Sequence, residues 1–400
     1  MTSSLDSRPP ARPGTADPTA LRQRLAELRG PGTAARPLDA RALAALAANP
    51  GCRRRVLLDG AGIDKSALAR ALGAPASFGQ SQFAMARGHS FEKRVKADGG
   101  TALVRLLHER LGDGSPGPEP ESVDAPDLCA AGPEGRTART ALALRDATAA
   151  GRWTLLDHPM LALDVAGTPA YLEPDAVVVH PDGGWTVVEI KSFPIVDGTA
   201  DAAKAGAAAR QAAVYTLALE QVAGRLQEPS PRVHARVLLV CPKDFSNLPA
   251  AELVDVRKQL ATTRRQLARL SLVEDIVAGL PPETTFDLCP SGDGSTVTRP
   301  AGELLAALDA VEAAYAPECL AACELAFHCR ARSREAGAVE ALGRGLRGEL
   351  GGLTTVGAAL AAARGEAGEA DDPAVAALRR AAALRAEALA AASAGAEAAV

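Results

Sequence analysis

The chain has 400 residues, enough to bury the core of one large domain or two modest ones. Its 44 basic and 48 acidic side chains leave a formal net charge of -4, which excludes a protein that holds polyanions by bulk positive charge. The apolar runs are short and broken by Arg, Asp and Gly, and the first residues lack a basic-then-apolar leader, so the expectation is a cytoplasmic protein that does not engage a membrane.

In chain order, residues 1–37 are rich in proline, alanine and arginine around one helical island near Leu21 to Leu28, and read as a disordered tail. Asp39 to Ala48 has a helical pattern that Pro50-Gly51 stops just before Cys52 and the basic run Arg53, Arg54 and Arg55. Ser81 to Ala97 reads as a helix with Phe83, Phe91 and Val95 on its apolar side, and its His89 and Glu92, three apart, share a face. A second helix follows at Ala102 to Leu111, then a Gly/Pro/Glu-rich loop over 112–136.

The period then changes to that of strands at Trp153 to Leu156, Leu161 to Val165, Tyr171 to His180 and Trp185 to Ser192. Pro181-Asp182-Gly183-Gly184 is a hairpin turn between the last two. Ala200 to Arg225 reads as a helix, His234 to Cys241 as a strand, and Leu253 to Leu280 as one long helix carrying a possible basic patch of Arg257, Lys258, Arg264 and Arg265. Leu304 to Tyr315 is helical and leads into the cysteine segment; 333–400 is an alanine-rich helical extension that includes a glycine-rich unit from Gly351 to Gly357. The pattern as a whole predicts an α/β fold with a mixed central sheet flanked by helices.

Alternation along the hairpin places Glu189 and Lys191 on one face while Val188 and Ile190 pack into the core, and reversal at 181–184 brings Asp175 within reach of Glu189. Paired carboxylates hold a divalent cation and a nearby ammonium steadies developing negative charge, which together suit phosphodiester hydrolysis. The bland alternative, a charged pair decorating an exposed strand, conflicts with the valine-rich runs on either side, which read as strands buried on both faces. Gln211 and Tyr215, four apart on a helix, can face the same site.

Cys319, Cys323 and Cys329 fall within eleven residues, and Cys52 lies far upstream; thiolates so grouped suit either zinc or an iron-sulfur cluster, and spacing does not choose between them. Cys129, Cys241 and Cys289 read as structural, with Cys289 or His328 able to replace a ligand.

The ordered series Arg87-Gly88-His89-Ser90-Phe91-Glu92, Pro174-Asp175, Glu189-Ile190-Lys191 and Gln211 with Tyr215 resembles the RecB-like branch of the PD-(D/E)xK nucleases, especially the iron-sulfur CRISPR-associated and AddB-like members. The resemblance spans roughly residues 50–330 and implies a restriction-endonuclease-like core in a nuclease domain over 38–332. It implies Mg²⁺ or Mn²⁺ on Asp175, Glu189, the Ile190 carbonyl and Glu92, or His89 in its place, with Lys191 acting on the water and Gln211 and Tyr215 positioning DNA or the lysine. A [4Fe-4S] cluster on Cys52, Cys319, Cys323 and Cys329 is implied too, although the first gap in the trio is one residue longer than in those relatives. Arg53, Arg54, Arg55 and Arg87 are then candidate DNA contacts.

The expected activity is metal-dependent DNA hydrolysis on single strands or duplex ends, alongside a helicase or other repair or defence proteins. The alternative is a non-catalytic DNA-binding or scaffold module that retains the fold. The motifs themselves fix neither the pathway nor the direction of cutting.

Overall fold

The computed structural model describes residues 18–75, 82–112, 114, 117–119, 122–226, 230–244, 246–289, 291 and 297–397. Among the described residues, seven α-helices precede the first strand: α1 Pro18–Arg29, α2 Ala40–Ala48, α3 Arg53–Gly60, α4 Lys65–Ala71, α5 Gln82–Val95, α6 Thr101–Leu111 and α7 Gly132–Ala150. Then come β1 Thr154–Asp157, β2 Leu161–Val165, β3 Thr168–Leu172, β4 Ala176–Val179 and β5 Trp185–Ile190. Helix α8 Ala202–Ala223 leads to β6 Arg236–Pro242 and β7 Pro249–Asp255. The chain ends in α9 Arg257–Leu267, α10 Val273–Ala278, α11 Ala301–Asp309, α12 Ala326–Glu335, α13 Arg344–Glu349, α14 Val356–Arg364 and α15 Pro373–Glu397.

The main sheet has the order β1-β4-β5-β6-β7. Strands β1, β4 and β5 are antiparallel neighbours, β5 and β6 are parallel, and β7 returns antiparallel. A parallel pair needs a crossover, and α8 supplies it. Asp201 caps that helix by accepting the Lys204 N–H at 2.9 Å. The fold class is therefore α/β, with a mixed five-stranded sheet flanked by helices.

Strand alternation sorts the valines onto two cores. Val177, Val179, Trp185 and Val187 join a core with α1, α2, α3 and α8, while Ala176, Val178, Val188 and Ile190 pack against Phe91, Val95, Leu103 and Leu107 of α5 and α6. Both faces of β4 and β5 are thus covered, as their unbroken apolar runs require. The turn closes where His180 N–H donates to the Gly184 carbonyl at 2.8 Å and Gly183, at φ +79°, takes the left-handed conformation.

Four expectations are corrected. The tail ends earlier than residue 37: residues 1–17 lie outside the described residues, but α1 is docked, with Leu28 fully buried and its carbonyl accepting from Phe286 N–H. The reading of Leu253 to Leu280 as one helix fails because Leu253 and Val254 pair with Leu238 and Val237 in the edge strand β7; the helical part is the shorter α9 and α10. Tyr171 to His180 divides into β3, which pairs only with β2, and β4, with Glu173-Pro174-Asp175 between them. Helix α7 was not anticipated; its weakly amphipathic, alanine-rich sequence gives little period to read. The predicted helix at Ser81 to Ala97 is α5, although Ser81 and the Phe83 side chain lie outside the described residues. In the C-terminal part, the Ala338–Thr355 bridge ties the residue before Val339 to the start of α14, and α15 packs on α14, with Ala362 and Val375 buried.

Candidate functional site

The site lies where β4 begins and β5 ends. Ala176 pairs with Val188, so the antiparallel register sets Asp175 opposite Glu189. Asp175 Oδ2 accepts the Ile190 N–H at 2.6 Å, which fixes the carboxylate against the strand end. Glu189 is 1% exposed. The Lys191 ammonium lies against its Oε1, and Oε2 has no partner among the described residues. Lys191 is itself pinned by its backbone N–H to the Val240 carbonyl of β6.

Burial dominates the electrostatics of this pair. Desolvation, partly offset by Lys191, raises the Glu189 carboxyl to about 7, with Asp175 and Glu92 adding repulsion. Burial raises Asp175 also, against the pull of Lys191 and of the Ile190 N–H. Burial opposes charge on Lys191, but Glu189 and Asp175 outweigh it and hold the ammonium charged. A fully buried carboxylate with an orphaned oxygen is costly, and it is the kind of group a bound cation satisfies.

Helix α5 delivers Glu92 to the same place. Its Oε1 lies 2.9 Å from His158 Nε2 and 2.6 Å from Lys96 Nζ. Lys96 donates further to Asp157 Oδ1 at 2.6 Å and to the Asp175 carbonyl at 2.7 Å. The His158 hydrogen bond, and then Lys96, hold Glu92 down at about 2. Among the described residues, Glu92, His158 and Asp175 are the group of three potential metal ligands whose donor atoms all lie within 4.8 Å of one another. His158 escaped the sequence reading because it looks like part of a turn after β1, and only tertiary folding brings it to Glu92. His89 is exposed and stands outside this group, so the structure favours Glu92 over His89 at the helix position.

Gln211 and Tyr215 reach the site indirectly. Gln211 Nε2 donates to Tyr215 Oη at 3.0 Å, and Tyr215 Oη donates to the Glu173 carbonyl at 3.2 Å. Both therefore brace the Glu173-Pro174-Asp175 segment. Tyr215→Phe should cost about 1 kcal/mol of stability, read by thermal melting. An unchanged melting temperature would show the brace to be dispensable.

The four cysteines also converge. Cys52 precedes α3, Cys319 lies in the 3-10 turn Pro317–Ala321, Cys323 follows it, and Cys329 is on α12. Cys329 feels the charges of both Cys52 and Cys319, and Cys323 that of Cys329. Asn49 Nδ2 donates to Cys319 Sγ at 3.3 Å and Arg54 Nη1 to Cys329 Sγ at 3.6 Å. Burial pushes the Cys323 thiol up to about 12 and raises Cys329 as well.

The arginines beside Cys52 have a different role from the one expected. Arg54 and Arg55 are buried: Arg54 Nε donates to the Val311 carbonyl at 3.2 Å, and Arg55 bonds Asp59 at 3.0 Å and the Ala322 carbonyl at 2.6 Å. Seated inside the protein, they cannot meet DNA; they hold the cysteine segment to α3. Arg53 is partly exposed, and Arg87 is exposed and donates to the Ser192 carbonyl at 3.0 Å, beside Lys191. The basic residues of α9 are exposed, with Arg257 paired to Asp255 and Arg264 to Glu220.

No profile of a known protein family matches the chain, and no curated protein matches it significantly. No helix among the described residues is long and apolar enough to cross a membrane.

Proposed function

We propose that the protein is a metal-dependent DNA nuclease of restriction-endonuclease-like architecture, with Asp175, Glu189 and Lys191 at its centre. The observation that carries this reading is Glu189: a carboxylate 1% exposed, with one oxygen unpartnered, set opposite Asp175 and against an ammonium. A merely structural pair would have no use for the orphaned oxygen or for a second carboxylate alongside.

Glu92 and Asp175 belong to one close group of potential ligands that would suit Mg²⁺ or Mn²⁺, and the resemblance adds Glu189 and the Ile190 carbonyl as further ligands. Such an ion, when bound, supplies a Lewis acid for the phosphoryl oxygen and lowers the pKa of a water ligand. The chain's own groups do the rest. Lys191 orients the attacking water and steadies the charge that develops on the phosphate. Glu189 keeps that ammonium charged and in place, while Tyr215 and Gln211 fix the approach of Asp175. Arg87, at the rim, contacts the DNA backbone.

The cysteine group serves as a structural clamp. A tetrahedral zinc would hold its thiolates about 3.8 Å apart, given bonds of about 2.3 Å. The cysteines are not among the donor groups packed within 4.8 Å, so the larger [4Fe-4S] cluster suits them better.

The test is cleavage of defined single-stranded and duplex DNA by the purified full-length chain with Mg²⁺ or Mn²⁺, against Asp175→Asn. Products that need the metal and vanish in the variant support the proposal. DNA binding without cleavage in either metal would replace it with the non-catalytic scaffold reading.

A further inference from the structure

We propose that His158, oriented by Asp157, is a nitrogen ligand of the cation site and makes that site select Mn²⁺ over Mg²⁺. The inference rests on the cation site proposed above, and deepens it by naming the metal. His158 follows β1 with φ +46°, a left-handed conformation that costs a non-glycine residue free energy and is kept where the surroundings enforce it. Those surroundings are specific. Its N–H donates to the Asp175 carbonyl at 3.4 Å, and its own carbonyl accepts from Arg136 Nη2 at 3.0 Å.

The ring is fixed from both ends. Nδ1 lies 2.9 Å from Asp157 Oδ1, which leaves Nε2 facing Glu92 Oε1 at 2.9 Å. A carboxylate on the far ring nitrogen is the usual support of a metal-binding histidine, setting its tautomer and raising its basicity. Two donors at adjacent corners of an octahedral ion with bonds of about 2.1 Å lie about 3.0 Å apart. The Nε2–Oε1 hydrogen bond, at 2.9 Å, is close to that spacing, so a cation that replaces the shared proton requires little movement of either side chain. Asp175 completes the group of three, and the buried Glu189, whose Oε2 has no hydrogen-bond partner among the described residues, stands opposite Asp175 on the neighbouring strand. Lys96, which shares Glu92 Oε1, has Asp157 and the Asp175 carbonyl as further acceptors. Mg²⁺ demands a nearly all-oxygen, octahedral shell, whereas Mn²⁺ shares its taste for carboxylates but, as a first-row transition ion, accepts an imidazole nitrogen more readily, so of these two an oxygen set with one nitrogen tilts toward Mn²⁺.

The experiment is pulsed EPR of Mn²⁺ bound to the full-length protein, with Mn²⁺ and Mg²⁺ affinities measured alongside. Wild type should show coupling to a directly bound ¹⁴N that becomes a ¹⁵N signal when the protein is made with ¹⁵N-histidine. His158→Asn should lose that coupling, and His89→Asn should keep it. Asparagine tolerates the left-handed backbone, so this variant should fold. Its Mn²⁺ affinity should drop on the order of 100-fold, and its Mg²⁺ affinity by less than about tenfold. Mn²⁺ bound without nitrogen coupling, or an unchanged Mn²⁺/Mg²⁺ preference in His158→Asn, would overturn the inference. If that variant does not fold, the labelling result on wild type decides. Nitrogen coupling without DNA cleavage would leave the inference standing and remove the nuclease reading; cleavage without coupling would do the reverse.

Discussion

On the proposed reading, Lys191→Ala should reduce metal-dependent DNA cleavage by about three orders of magnitude, because it removes the cation that lies against Glu189. The same change should destabilise the metal-free protein by about 3 kcal/mol at pH 8, since Glu189 is left buried without its counter-charge and must carry an unpaired charge or take up a proton. The pH dependence identifies the cause. The Glu189 carboxyl is raised by burial to about 7, so folding stabilises its protonated form. Stability from this group is fully present below its unfolded value of about 4.5 and is lost as pH rises through about 7, a swing on the order of 3 kcal/mol. Without Lys191 the folded value rises further, so the variant should recover much of its melting temperature at pH 5. Adding Glu189→Gln should restore stability at pH 8 while leaving cleavage at background. A single variant whose melting temperature matches wild type from pH 5 to pH 8 would show that Lys191 and Glu189 do not depend on each other.

Cys323→Ser should have the largest effect on the fold. On the proposed reading, anaerobically purified wild type is brown and contains iron, and the variant is colourless and melts far lower, because binding of such a group is itself folding free energy. The physical reason lies in the burial of the thiols. Cys323 is raised to about 12 by desolvation, so a thiolate there survives at neutral pH only if positive charge is bound to it. Arg55 and Arg54 lie beside the group but are engaged with Asp59, Ala322 and Val311. A colourless wild-type protein carrying one zinc would reject the iron-sulfur assignment; one carrying no metal would reject the clamp.

The parts of this site that sequence could reveal are those fixed by local periodicity. Strand alternation and one glycine turn were enough to place Asp175, Glu189 and Lys191 together, because a two-strand hairpin has a single register that buries its valines. Helical spacing likewise put Gln211 beside Tyr215, but only the structure shows that they brace a backbone carbonyl and do not touch the lysine. Asp157 ends β1 and His158 begins the turn after it, where the strand period stops, and the partner of His158, Glu92, is more than sixty positions upstream. The run at Arg53 to Arg55 misled for a related reason. Three consecutive arginines beside Cys52 read as candidate DNA contacts, yet carbonyls at Val311 and Ala322 of distant segments give two of them interior partners. The end of edge strand β7 reads as helix because Leu253-Val254-Asp255 runs directly into the helical pattern of α9, and pairing with β6 extends the strand to Asp255.

The seats of Arg54 and Arg55 also bear on how the chain is made. Their acceptors at Val311 and Ala322 are 257 and 267 positions further along. At about 5–20 residues per second, a ribosome delivers those carbonyls roughly 13–50 s after the arginines themselves. During that interval Arg54 has no interior partner and Arg55 only Asp59 of its own helix, so α3 reaches its final burial late. Translation that stopped short of residue 311 would yield the entire central sheet and both carboxylate strands, with α1, α2 and α3 able to pack on elements already made, yet would leave the two arginines without their carbonyls. The closure around α3 is thus deferred to the last part of the domain's synthesis.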